Sequence, residues 1–226
     1  MKLSVVMPVL NEAAGIETAL KALAPYRQRG VEVIVADGGS SDDTPARASP
    51  HADRVIAAPR GRAAQMNAGA AAASGDVFLF LHADTQLPDN ADRLVIDGLA
   101  QSRRDWGRFD VRIDGGGALT LIAAMMNARS RLTGIATGDQ AMFMTRDAFA
   151  RVGGFPPIAL MEDVALSAAH KRLGRPLALR ARVTTSGRRW RQNGTLRTVL
   201  LMWRLRLAFY FGADPAKLAR AYGYAE

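Results

Sequence analysis

The chain has 226 residues, 49% of them hydrophobic and 23% charged, which is enough apolar material for one sizeable core and too little length for two full enzyme domains. The absence of cysteine excludes a disulfide scaffold, a cysteine nucleophile, zinc fingers and thiolate-bound iron–sulfur clusters. With 30 Lys and Arg against 21 Asp and Glu the net charge is +9, which favours an anionic partner: a nucleotide, a nucleic acid or an acidic lipid surface.

Residues 1–8 hold an apolar run too short for a secretory signal, and the chain turns polar at once, so this opening reads as a core strand of a cytoplasmic protein. Apolar runs bounded by turn residues at 3–7, 31–36, 55–57 and 77–81 predict buried parallel strands. Helical patterns lie between them. One is capped by Asn11 and buries Ile16, Leu20 and Leu23; another spans 62–73 and is rich in alanine, with glycine only at 69. Strands alternating with helices predict an α/β sheet whose ligands gather beyond the strands' carboxyl ends. The second half is Gly-rich and mixed, with strands expected at 109–113 and 141–145 and a helix at 118–132. Between residues 171 and 206 stand eleven Lys or Arg and no Asp or Glu. No run of about 18 apolar residues occurs, so a membrane span is not expected.

The residues after the strands are polar. Asp37-Gly38-Gly39-Ser40 offers a carboxylate for a base or ribose and glycines for close approach, and reads equally as a capped glycine turn. The G-x-G-x-x-G and G-x-x-x-x-G-K-[ST] fingerprints are absent here, which removes support for Rossmann hydride transfer and P-loop phosphoryl transfer. The strand at 77–81 delivers His82 and Asp84, two positions apart and therefore on one side. Asp84 suits Mg²⁺ or Mn²⁺ against a diphosphate, with His82 as a second ligand or a nucleotide contact; a helix-capping Asp is the alternative. Glu162 and Asp163 open a helix running to Leu173, where they serve as catalytic carboxylates or as dipole-favoured caps. His170 reads as packed or solvated rather than as a ligand. Around Trp190, Arg188, Arg189 and Arg191 suit a departing diphosphate, or form a mobile basic loop. The stripe Leu200, Leu201, Trp203, Leu205, Leu207, Phe209 and Tyr210, with Arg204 and Arg206, fits a membrane surface, core packing or a dimer contact.

Taken together these residues resemble the family 2 glycosyltransferases of the GT-A fold. Val5-Val6-Met7-Pro8-Val9-Leu10-Asn11-Glu12 is similar to the family's opening strand and nucleotide loop, and Val35 to Thr44 to its base-binding motif. Arg60 to Gly69 is similar to the helix carrying a basic nucleotide contact. His82-Ala83-Asp84 stands where the family usually has Asp-x-Asp, with His in place of the first Asp. Gly138-Asp139-Gln140, Gly153-Gly154-Phe155 and Glu162-Asp163 resemble the acceptor-half signatures. Arg188-Arg189-Trp190 resembles an element of processive synthases, with Ser186 replacing the Gln. The ending is most similar to small bacterial transferases associated with arsenosugar biosynthesis.

The resemblance implies a single GT-A domain over 1–226, with a nucleotide-binding half at 1–103, an acceptor half at 104–195 and a basic amphipathic C-terminal helical segment at 196–226. It implies inverting transfer from a nucleotide-diphosphate sugar, UDP expected, to a hydroxyl on a small or lipid-linked acceptor, assisted by Mn²⁺ or Mg²⁺. Asp163 is then the base with Glu162 beside it. Pro8, Leu10, Glu12, Asp37, Gly38, Arg62, Gln65, His82 and Arg189 hold the nucleotide, and Asp84 and His82 the metal. Glu12, Asp37, Asp84 and Asp163 are expected to line one cleft. A peripheral site at the inner membrane face is left open by the C-terminal helix, and nucleic acid is not an expected partner of the transferase. The rival readings are a nucleotidylyltransferase-like enzyme, or a non-enzymatic basic module binding RNA or a membrane surface.

Overall fold

The computed structural model describes residues 1–223. In chain order its elements are β1 (Leu3–Val9), α1 (Ile16–Lys21), α2 (Ala24–Gln28), β2 (Glu32–Asp37), α3 (Thr44–Ala48), β3 (Arg54–Ala57), α4 (Arg62–Ala72), β4 (Val77–Phe80), β5 (Thr85–Gln86), α5 (Ala91–Ser102), β6 (Trp106–Ile113), α6 (Ala118–Thr133), β7 (Phe143–Thr145), α7 (Arg146–Arg151), α8 (Glu162–Leu173), β8 (Leu177–Thr185), α9 (Arg188–Asn193), α10 (Thr195–Tyr210) and α11 (Pro215–Tyr222). The strands form one sheet in the order β3-β2-β1-β4-β7-β6-β8-β5. β1, β2, β3 and β4 pair in parallel, as do β6 and β8, while β7 and β5 run against their neighbours. This is the mostly parallel α/β sheet flanked by helices that the sequence predicts.

The central strands are apolar throughout because helices cover both faces. Leu3, Val5, Met7, Val33, Val35 and Leu79 pack on one side with α1, α5 and α6, and Val6, Ile34, Phe78 and Phe80 on the other with α4 and Leu166 of α8. Gly69 is the closest approach of α4 to the sheet: a Cβ there would lie 2.3 Å from Val6 Cγ1. Gly107 likewise lets β6 pass Leu177 of β8, whose carbonyl oxygen a Cβ would meet at 2.4 Å. Behind these strands, the fully buried Arg108 pairs with Asp110, which also accepts from Arg131 Nη2 of α6 at 2.7 Å.

Several expectations need correction. Asn11 is not a helix cap: it takes a left-handed conformation (φ 54°), its Oδ1 accepts from Ser41 N at 2.8 Å, and α1 begins at Ile16. The strand expected at 109–113 begins at Trp106, and the basic segment around Trp190 is a short helix. The sequence patterns do not mark α2, α5, α7, β5 or β8, while α10 and most of α11 fall in the helical segment expected at 196–226. In β8 (LALRARVTT) arginines interrupt the apolar run and most side chains are only half-buried, so the segment lacks the signature of a core strand.

Candidate active site

Because β1, β2 and β4 run in one direction, their carboxyl ends bring residues 8–12, 37–44 and 82–85 to one rim of the sheet. An open cleft of about 1770 Å³ lies there. Pro8, Leu10, Glu12, Arg62, Gln65, His82, Asp84, Glu162, Asp163 and Arg189 all line it. Asp37 and Gly38 do not, which departs from the expectation that four acidic residues share the cleft. The Asp37 carboxylate turns onto its own loop, where its Oδ2 accepts from the Gly39 and Ser40 amides at 3.1 and 3.0 Å and its Oδ1 from the Ser40 hydroxyl. With backbone amides two and three residues on as donors, the carboxylate caps the turn. Gln65 also works within the protein: its Nε2 donates to the carbonyls of Val9 and Ala36 at 2.7 and 2.9 Å and ties the ends of β1 and β2 together. Gly38 makes room for it, since a Cβ there would lie 2.9 Å from Gln65 Cδ.

Glu12 stands on the same rim. Burial raises its carboxyl above the ordinary range; the Arg188 guanidinium opposes this, the Asp84 charge adds to it, and Arg62 opposes it in turn. Asp84 is exposed to the cleft, and among the described residues its carboxylate takes only a 3.3 Å bond from Thr85 Oγ1. His82 is more confined, with Nδ1 3.6 Å from Asp139 Oδ1 and its ring against Gly138, where a Cβ would come within 2.5 Å of Cε1. Although nearly half of the Asp139 side chain is open, the surrounding walls push its carboxyl up; the close His82 ring and its charge, with Arg62 and Arg206, outweigh them and hold it below the usual value. Among the described residues no three His, Cys, Asp or Glu side chains gather as a metal cage. One free carboxylate with a neighbouring imidazole is nonetheless a donor set that suits a hard divalent ion completing its shell with diphosphate oxygens and water.

Glu162 and Asp163 open α8 behind Met161, which is held in the left-handed region at φ 69°, a strained conformation of the kind that gathers at functional sites. That turn fixes the Asp163 carboxylate between two amides: Oδ2 accepts from Gly138 N and Oδ1 from Val164 N, both at 2.7 Å. Glu162 is 5% exposed. Burial and then the Asp163 charge push its carboxyl up to about 7, with Arg62 and His82 pulling against them.

The sequence profile of glycosyl transferase family 2 matches residues 4–153, two-thirds of the chain. The chain belongs to that family. Glucosyl-3-phosphoglycerate synthase of Mycobacterium tuberculosis is 36% identical over 92 residues, a match that takes in 36% of this chain and 28% of that protein. Among solved structures, S. aureus TarS 1-349 in complex with UDP-GlcNAc superimposes with a TM-score of 0.69 at 18% identity, covering 82% of this chain and 58% of that one. The mycobacterial synthase in complex with Mn²⁺, UDP and phosphoglyceric acid gives a TM-score of 0.58 at 23% identity, covering 81% and 69%. Both likenesses show the shared GT-A fold.

In this family 2 chain the basic residues are distributed differently from the expectation. Arg189 reaches the cleft wall, but its Nη2 donates to the Tyr222 carbonyl at 2.9 Å and its guanidinium lies 3.6 Å over the Tyr222 ring. Arg188, its neighbour, is the one that acts on Glu12. Two further arginines were missed, Arg129 of α6 and Arg206 of α10; both line the cleft and both feel the Asp163 charge. A basic residue in a long helix reads as a solvated charge, and only the fold turns these two inward. The stripe on α10 divides: Leu201, Leu205 and Phe209 pack with Leu160, Met161 and Leu218, while Leu200, Trp203, Leu207 and Tyr210 stay exposed. No helix among the described residues is long and apolar enough to cross a membrane.

Proposed function

We propose that the chain is an inverting glycosyltransferase that moves a sugar from a nucleoside-diphosphate donor, UDP by preference, to a hydroxyl acceptor. The observation that carries this reading is the Asp163 carboxylate, held by two amides in the same cleft as Glu12, Asp84 and Arg62. The relatives support the choice of donor: the mycobacterial synthase binds UDP-glucose with Mn²⁺, and TarS binds UDP-GlcNAc.

Asp163 takes the acceptor's hydroxyl proton while that oxygen bonds to the anomeric carbon from the face opposite the diphosphate. The bond from that carbon to the diphosphate oxygen breaks, and the electron pair leaves with the nucleoside diphosphate. Arg62 and Arg188, set around Glu12, meet the charge that develops on the leaving group, the kind of preorganised electrostatic work that carries much of an enzyme's rate enhancement. Asp84, with His82 beside it, is the residue to hold a divalent ion, which when bound screens the diphosphate. Glu162, half-protonated near neutral pH, limits the negative charge facing the donor. Glu12 faces the nucleoside, and Asp37 supports it indirectly by fixing the loop of residues 37–40.

The test is Asp163→Asn. It removes the proton acceptor and keeps the shape, so transfer should fall by about 10²–10⁴ while UDP binding with Mn²⁺ stays unchanged by calorimetry. Loss of UDP binding, or retained transfer, would contradict the role given to Asp163.

A further inference from the structure

Arg129 and Arg206 are the most poorly compensated charges in the cleft. They come from different helices, α6 and α10: Arg129 is brought down to about 10 by burial, then by the Arg206 charge, and Arg206 is lowered by burial against the pull of Asp163 and Asp139. Among the described residues neither guanidinium makes an ion pair or a hydrogen bond, and Arg129 Nη2 is buried with no partner at all. Two half-buried like charges lining one cleft destabilise the free protein, and an anion bound by both relieves that cost.

Their charges fall on a different carboxylate from those at the end of β1. Arg62 and Arg188 act on Glu12, whereas Arg129 and Arg206 both feel Asp163, where the acceptor hydroxyl must lie on the transferase reading; Arg206 also reaches Asp139 beside His82, so the pair borders the donor end. The same two helices continue the cleft wall in apolar side chains, Met125 and Met126 from α6 and Met202 and Trp203 from α10. Trp203 is 59% exposed and faces no partner in its own core cluster.

We infer that Arg129 and Arg206 form an anion subsite for the acceptor, and that the acceptor is an amphiphile: a hydroxyl near a phosphate or carboxylate, on an apolar body that lies between α6 and α10. A guanidinium pair is well matched to the oxygens of either anion, and charge-assisted bonds of this kind are the strong ones. The inference rests on the transferase reading only for the word acceptor.

The experiment measures binding of octyl phosphate, octyl glucoside and inorganic phosphate to the full chain by calorimetry with UDP and Mn²⁺ present. Octyl phosphate should bind about tenfold or more tighter than either the neutral amphiphile or the bare anion, and Arg129→Gln and Arg206→Gln should each lose about tenfold of that affinity. UDP affinity should not change in either variant. Equal binding of octyl phosphate and octyl glucoside overturns the anion subsite, and equal binding of octyl phosphate and inorganic phosphate overturns the apolar body. A parallel fall in UDP affinity assigns the pair to the donor's diphosphate and overturns the inference. Sedimentation with phosphatidylglycerol vesicles, set beside monomeric octyl phosphate, tells whether the anion is presented by a bilayer or by a free molecule; either result supports the subsite. If UDP with Mn²⁺ fails to bind the wild type, the donor reading falls, and octyl phosphate alone still decides this one. Arg129→Met guards against misfolding: relief of an unpaired charge should leave Tm equal to or above that of the wild type, and a marked fall would show a structural role and overturn the inference.

Discussion

His170 is fully buried in α8, its ring stacked 5.3 Å from Trp106, and neither ring nitrogen has a hydrogen-bond partner among the described residues. Burial, helped by the charge of Arg151, lowers its pKa from 6.5 to about 4. The native state therefore refuses a proton that the unfolded chain accepts, so the stability this neutral ring contributes is complete above pH 6.5 and is lost as pH falls toward 4, by ~3 kcal/mol in all. Urea titrations across that range should show this slope in the wild type and a flatter one in His170→Phe; equal slopes would assign the acid sensitivity elsewhere. Glu162 has the opposite sign. Its folded value of about 7 stands above the ordinary 4.5, so the unfolded chain is the better acid and stability is lost as pH rises through 7. Glu162→Gln should then be more stable than the wild type at pH 8 and no different at pH 4, as read from urea midpoints. The identities of these buried groups were plain in the sequence, which read His170 as packed or solvated and left the choice between the two to the fold. The proton affinity of Glu162 was not plain, because it depends on burial and on Arg62 and His82 converging from other elements on the Glu162-Asp163 pair.

The fit of α4 onto β1 through Gly69 shapes the cleft rim, since α4 also carries Arg62 and Gln65. Gly69→Ala gains helix propensity of up to ~1 kcal/mol, but its methyl meets Val6 Cγ1 at 2.3 Å, so the net result should be destabilisation by about 1–3 kcal/mol. Val6→Ala opens the same space. The double variant should therefore be less destabilised than the sum of the two, by at least ~0.5 kcal/mol in a double-mutant cycle of chemical denaturation; strict additivity would mean that α4 shifts rather than clashes. β1, β2 and β4 were legible because they are uninterrupted apolar runs, and α4, α6 and α8 because their patterns and ends are clear. β8 was not, since Arg180 and Arg182 break its run, and the sequence carried no sign that Asp37 lies off the cleft lining with its carboxylate accepting from the amides of Gly39 and Ser40. Glu12, Asp84 and Asp163 were found because strand ends and a helix start announce them, whereas Arg129 and Arg206 lie mid-helix, where sequence carries no sign of facing inward.

Across the molecule, the two large core clusters that cover the faces of the sheet draw on no residue beyond Trp190, and α10 and α11 pack instead on Leu160 and Met161 in a third, smaller cluster. The C-terminal helices thus roof the cleft without building the sheet beneath it. Most of the residues proposed to meet the donor, Glu12, Arg62, His82, Asp84 and Arg188, lie outside those helices, while Arg206 and much of the apolar wall lie within α10. A chain shortened to residues 1–193 should accordingly unfold in one cooperative step and still be stabilised by UDP with Mn²⁺, by ~2.7 kcal/mol at a hundredfold excess over Kd. It should transfer no sugar to the acceptor, and its octyl phosphate affinity should fall as in Arg206→Gln. Circular dichroism, thermal shift and a transfer assay on the same preparation separate the outcomes. Loss of the cooperative transition would mean that the roof is part of the fold, and loss of the UDP response alone would mean that α10 and α11 complete the donor site rather than the acceptor site.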